Sequence, residues 1–203
     1  MKLYYYPGAC SLSPHIVLCE SGLSFSAEKV DLESKRTESG GDFNAVNAKG
    51  YVPALVLDDG KVITEGPAII QYIADLVPGK KLAPEAGSFE RVQLQEWLNF
   101  LSSELHKSFS PLFNPNASSE WKHAAKEVLV RRFNYIAERL EGEQYLLGDT
   151  FSVADAYLFT ILEWAKWAQF DLSTWQVLGT YHERVAARTA VKKALVDEGL
   201  VNA

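Results

Sequence analysis

Short apolar runs alternate with polar breaks through the first third of the chain, and their period shifts between two and three-to-four residues. "KLYYY" (2–6) predicts a strand that Pro7-Gly8 ends. "SLSPHIVLCESG" (11–22) predicts a helix with Ser11 or Ser13 as N-cap, Pro14 in the first turn and Gly22 at its end. "AEKVDL" (27–32) predicts a second strand, and the polar stretch 33–50 holds at most a short helix around "DFNAV". "VPALVL" (52–57), the turn "DDG" and "KVIT" (61–64) predict a hairpin, followed by an amphipathic helix over "GPAIIQYIADLV" (66–77). The order βαβ, irregular segment, ββα predicts one small mixed four-stranded sheet with helices packed on it.

Past the proline- and glycine-rich stretch "PGKKLAPEAGS" (78–88) the period becomes helical to the end. In "FERVQLQEWLNFLSSELHKSF" (89–109), Leu94, Trp97, Leu98, Leu101 and Leu105 form one stripe. "HAAKEVLVRRFNYIAERLE" and "VADAYLFTILEWAKWAQF" predict two further helices, and residues 178–198 one or two shorter ones. Ser152 and Asp155 make a capping-box-like start for the third, with an acid in place of the usual Glu or Gln. The expected organisation is an α/β domain over 1–78, a linker over 79–88 and an all-helical domain over 89–203.

Composition adds exclusions. A net charge of −6 argues against nonspecific nucleic-acid binding. Lys2 is followed by a tyrosine-rich strand rather than the apolar core of a signal peptide, and no apolar run is long enough to cross a bilayer. Two cysteines make a poor disulfide framework, so a reducing cytoplasm is expected. No cysteine or histidine cluster has zinc-ligand spacing, and no metal is expected.

Three segments carry candidate chemistry. Cys10 stands between a turn and a helix start, where the helix dipole favours a thiolate. It reads as a nucleophile, as a partner for another thiol, or as a small space-filling residue. With Ser13 it has C-x-x-C spacing in which a hydroxyl replaces the second thiol, a pattern suited to mixed disulfides without an internal resolving partner. Cys19, inside the helix, reads as structural. In "YVPAL" (51–55), Pro53 heads a strand, the Val52-Pro53 bond is a candidate cis peptide, and Val52 offers backbone groups to an extended ligand; a strand that merely begins with proline is the alternative. In "TEGPAI" (64–69), Glu65 and Gly66 stand where strand becomes helix, so an N–H can meet a carboxylate while Glu65 meets an ammonium. That pairing suits an amino-acid head group, although an acid in a helix's first turn is common without any ligand. Asn99, Ser103 and His106, spaced by four and three, are expected on one helix face. His15 and Asp155 read as structural.

Taken in order, "YYPGACSLSPH", "NAKGYVPAL", "TEGPAI", "EWLNFLSSELHK" and "FSVADAYLF" resemble the cytosolic glutathione transferase family, most of all its bacterial Beta class, along the whole length. The resemblance implies a thioredoxin-like N-terminal domain, a helical C-terminal domain, homodimeric assembly and glutathione as co-substrate. It places Cys10 beside the glutathione sulfur and brings His106 to the same region. It gives Val52 the cysteinyl backbone with Pro53 cis, Glu65 and Gly66 the γ-glutamyl end, and Lys35 a charge toward the ligand. Asn99 and Ser103 would reach the site, Asn99 that of the other subunit. Tyr5 matches a tyrosine that relatives outside the Beta class use on the glutathione thiolate. Tyr51 stands where close relatives often carry glutamine, and Ala48 where a proline is common.

The activity implied is attack of the glutathione thiolate on an apolar electrophile, in an acceptor pocket between domains with Phe109, Phe113 and Trp164 as lining residues. Two other readings compete: a glutathione-dependent disulfide or peroxide reductase using Cys10 covalently, and a non-catalytic binding protein that keeps the fold.

Overall fold

The computed structural model describes residues 1–202. Its contacts divide it into two units, one formed by residues 1–83 with 187–202 and the other by residues 84–186. The boundary near 83 falls inside the glycine-proline stretch, whereas the last helix, expected with the helical part, groups with the first unit. The reason is packing: that helix lies along the first helix of the chain.

In the first unit, β1 (Lys2–Tyr5), α1 (Leu12–Ser21), β2 (Ser26–Lys29), α2 (Phe43–Val46), β3 (Ala54–Val56), β4 (Val62–Thr64) and α3 (Gly66–Leu76) follow the predicted order. The sheet runs β2-β1-β3-β4, with β1 parallel to β2 and antiparallel pairing in β1–β3 and β3–β4. Side chains of a strand alternate between faces. Leu3, paired with Leu55, is fully buried, while Tyr4 packs on the opposite face with Phe43, Val30, Val52 and Ala54. The strand predicted over 27–32 stops at Lys29 because Asp31 turns the chain, accepting from the N–H groups of Glu33 and Ser34.

The second unit holds α4 (Phe89–Phe100), α5 (Ser110–Phe113), α6 (Ser119–Leu140), α7 (Val153–Glu163) and α8 (Gln176–Ala186). The predicted helix 89–109 is one helical run in which the hydrogen-bond pattern changes: Leu101–His106 is π-helical and Lys107–Phe109 tightens to a 3₁₀ turn. The helix predicted over 153–170 ends at Glu163, and Gln169 takes a left-handed conformation (φ 59°) as the chain turns away. Asp155 is fully buried and accepts from Leu146 N–H (2.9 Å), Ser152 N–H (2.8 Å), the Ser152 hydroxyl (2.8 Å) and the Tyr181 hydroxyl (2.9 Å). This one carboxylate ties the start of α7 to the preceding loop and to α8. The final helix, α9 (Thr189–Asp197), completes the first unit. Among the described residues no helix is long and apolar enough to cross a membrane.

Candidate functional site

The turn that carries Cys10 is built from both ends of the chain. Gly8 takes φ 71°, a left-handed conformation that glycine adopts without a Cβ clash, and its N–H donates to Glu198 Oε2 (2.9 Å). Ser11 occupies the N-cap position of α1, yet its hydroxyl accepts from Tyr6 N–H (3.1 Å) and does not cap the helix. Ser13, the other N-cap candidate, is fully buried, and its hydroxyl has no hydrogen-bond partner among the described residues. Cys10 itself is partly buried and its thiol donates to the Val52 carbonyl (3.4 Å). Val52-Pro53 is a cis peptide, and Val52 lies just outside the paired register of β3. The structure thus brings Cys10, Val52 and Pro53 together from segments that are 42 residues apart.

Glu65 stands at the same end of the β3–β4 hairpin as Pro53, directly after Thr64, which pairs with Ala54. It has φ 70° and ψ 113°, a strained conformation for a residue with a Cβ, and Gly66 begins α3 directly after it. Residues held in such regions cost about 1–3 kcal/mol and cluster at ligand sites. Its carboxylate accepts from the Tyr51 hydroxyl (2.9 Å) and pairs with Lys49, whose ammonium also donates to Thr64 Oγ1 (3.1 Å). Both side chains of the Lys49–Glu65 pair are about half exposed, at 45% and 55%. Lys35 has φ 59° and donates from Nζ to the Gly50 carbonyl (2.7 Å), which fastens the loop before Tyr51.

In the second unit, His106 is bonded at Nδ1 to the Tyr157 hydroxyl (2.7 Å) and packs edge-on against Trp164 (4.8 Å between centroids). Burial, with a smaller contribution from the Lys107 charge, pushes its pKa down to about 4, so the ring is neutral at neutral pH. Phe109, Phe113 and Trp164 pack on one another at 5.6–6.0 Å; Phe109 is buried while Phe113 is half exposed. The three aromatic residues singled out from sequence therefore form one group that includes His106. Asn99 and Ser103 are exposed and bonded along their own helix, Asn99 to Gln95 O and Ser103 to Asn99 O (2.9 Å each). Ser103 and His106 both lie in the π-helical turn Leu101–His106, which is wider than the turns of the α-helix that carries Asn99.

Tyr5 is not brought to Cys10 by any hydrogen bond among the described residues. As the neighbour of Tyr4 it points to the other face of the sheet, where its ring meets His15 (5.7 Å). Burial and the carboxylates Glu198, Glu38 and Asp197 hold its phenol above the usual tyrosine value. Sequence reasoning missed Glu198, which fixes the Cys10 turn, and Tyr157, which orients His106. Glu198 gives no local signal, since its partners Gly8 and His15 lie 190 and 183 residues away. Tyr157 was visible only as an apolar position of α7.

A mixed sheet of order β2-β1-β3-β4, with a thiol entering the first helix and a cis-proline heading the third strand, defines a thioredoxin-like domain; a helical unit follows it. The description "Glutathione S-transferase, N-terminal domain" matches residues 8–76, and "Glutathione S-transferase, C-terminal domain" matches residues 100–189. The chain belongs to the glutathione S-transferase family. It is 47% identical over 200 residues to glutathione S-transferase GstA of Escherichia coli O157:H7, covering 98% of this chain and all of that one. Among solved structures, the ternary complex of BphK, a bacterial enzyme of the family, is 60% identical with a TM-score of 0.97, over 98% of this chain and 100% of that one. Two sphingomonad enzymes, one complexed with glutathione and one of the bacterial beta class from Sphingomonas chungbukensis, are each 48% identical with a TM-score of 0.96, over 99% of this chain and 100% of theirs.

Proposed function

We propose that this protein joins the thiolate of glutathione to small apolar electrophiles, with Cys10 at the sulfur end of the glutathione site. The observation that carries the reading is the Cys10 thiol lying 3.4 Å from the Val52 carbonyl beside the cis Val52-Pro53 bond. Val52 would pair with the cysteinyl backbone of glutathione, which sets the ligand's sulfur next to Cys10. The γ-glutamyl end falls to Gly66 N–H and Glu65, the first for the carboxylate and the second for the ammonium. The strained Glu65 backbone and its Tyr51 and Lys49 partners support that role, because they hold the carboxylate in one place.

A free thiol of pKa about 8.5 is mostly protonated at neutral pH. Lowering it by about two units makes the thiolate dominant and requires roughly 2.7 kcal/mol of preferential stabilisation. The positive end of α1 and the Cys10 thiol, donating toward the ligand's sulfur, supply this. Neutral His106 acts as a hydrogen-bonding group rather than as a cation, and in the tautomer that accepts from the Tyr157 hydroxyl at Nδ1 it offers an Nε2 proton. The thiolate then attacks an electrophilic carbon; the C–S bond forms and the leaving group departs with its electron pair. We assign the apolar electrophile to the Phe109, Phe113 and Trp164 group, and Asn99, Ser103 and Lys35 take the supporting roles that the family resemblance gives them. The working form is a cytoplasmic homodimer in which Asn99 serves the partner's ligand; exposed Phe89 and Val92 on α4 support an apolar contact surface.

Retention on immobilised glutathione, followed by conjugation, disulfide-exchange and peroxidase assays on wild type, Cys10→Ala and His106→Ala, tests the reading. Wild type should be retained and should conjugate, and both variants should conjugate more slowly. Loss of exchange alone in Cys10→Ala would favour covalent reductase chemistry. Absence of retention would leave a binding protein of another kind, and full activity of Cys10→Ala in every assay would remove the thiol from the mechanism.

A further inference from the structure

On the face of the sheet opposite the Cys10–Val52 contact, three side chains of different chemistry converge where α1 meets α9. His15 and Cys19 are one helical turn apart on α1, so they share a face, and Asp197 ends α9 against them. One donor atom from each lies within 4.8 Å of the other two. His15 Nε2 is 3.6 Å from Asp197 Oδ2, while His15 Nδ1 is 3.0 Å from Glu198 Oε1, and the side chain of Glu198 is completely buried. A carboxylate on one ring nitrogen of a histidine orients the other nitrogen's lone pair outward, the arrangement that supports histidine ligands in metal centres.

We propose that His15 Nε2, Cys19 Sγ and an Asp197 carboxylate oxygen bind a divalent transition-metal cation of the zinc class, with water in the fourth position. A nitrogen, sulfur and oxygen set suits a borderline cation rather than calcium or magnesium, which take oxygen ligands. Bonds of about 2.0–2.3 Å to a shared cation need these atoms somewhat closer than they stand, a closure of about an ångström that side-chain rotation supplies. A cleft of about 390 Å³, lined by His15, Asp197, Lys193 and Tyr5 among others, gives the cation and its water an approach. A cysteine coordinates as its thiolate, so binding of the cation releases the Cys19 proton to solvent. Lys193, whose Nζ lies 2.5 Å from Asp197 Oδ2, must give way; it sits on the exposed flank of α9 and can turn to water. The bound cation would clamp α9 to α1, beside the Glu198 carboxylate that holds the Cys10 turn.

The chain has two cysteines, so in full-length Cys10→Ala protein the sole thiol is Cys19. Cobalt(II) titrated into this variant should give a thiolate-to-cobalt charge-transfer band that saturates at one equivalent and is bleached by zinc. Zinc alone should raise the melting temperature of Cys10→Ala and not of Cys10→Ala/Cys19→Ala. Asp197→Asn should weaken cobalt binding at least about tenfold, and Lys193→Met should strengthen it by removing the competing ammonium. Circular dichroism of each variant establishes that it is folded. No charge-transfer band with excess cobalt in the folded Cys10→Ala protein, or unchanged affinity in Asp197→Asn, would overturn the site.

Discussion

Two glutamates flank the candidate glutathione site and do opposite things. Glu198 is sealed, its side chain 0% exposed, and both its oxygens are committed to the fold: Oε2 to Gly8 N–H and Oε1 to His15. Glu65 is 55% exposed and is held by a lysine and a tyrosine at the surface. A buried carboxylate that loses its partners leaves unsatisfied donors in the interior, whereas an exposed one is exchanged for water at little cost. The difference divides the site into a part that builds the turn and a part that meets the ligand.

Asp155, the buried acid of the second unit, accepts four hydrogen bonds, so Asp155→Ala should destabilise the protein by about 4 kcal/mol or more, read by urea unfolding. Glu198→Ala should cost about 3 kcal/mol and also lower the conjugation rate, because Gly8 and His15 lose the group that fixes the Cys10 turn. If Glu198→Ala melts like wild type, the buried half of the comparison fails.

The same burial acts on a base at His106. Its pKa lies near 4 when folded and near 6.5 when unfolded, so between these values the unfolded chain binds the extra proton. Stability from this group is fully present above pH 6.5 and is lost as pH falls toward 4, a change of roughly 3 kcal/mol that His106→Gln should abolish. Equal pH profiles for the two proteins would show that His106 is not desolvated. At the exposed end, Tyr51→Phe should shift stability by less than about 0.5 kcal/mol while raising the KM for glutathione a few-fold, since only the hydroxyl on Glu65 is removed.

The sequence was most informative where structure is local. The hairpin over "VPALVL" and "KVIT", the α3 start at Gly66 and the Ser152–Asp155 box each follow from neighbouring residues, and each is found. The candidate cis bond at Val52-Pro53 was legible because proline is the residue that tolerates it. The π-helical turn at Leu101–His106 was not, since an apolar stripe of three-to-four spacing reads the same through a single widened turn. Nor was the clasp of Glu198 on Gly8, where two ordinary residues meet only because α9 returns to α1. His15 and Cys19 each read as structural in the sequence, and the third member of their cluster, Asp197, comes from the far end of the chain.

The proposed glutathione site has its sulfur end at Cys10 and its amino-acid end at Glu65. Calorimetric titration of wild type and Glu65→Gln with glutathione, alongside the melting temperature of each, tests it most directly. Wild type should show one site per chain, and Glu65→Gln a Kd raised at least about tenfold with the melting temperature unchanged. No binding by wild type, or equal affinity in the two proteins, would contradict it.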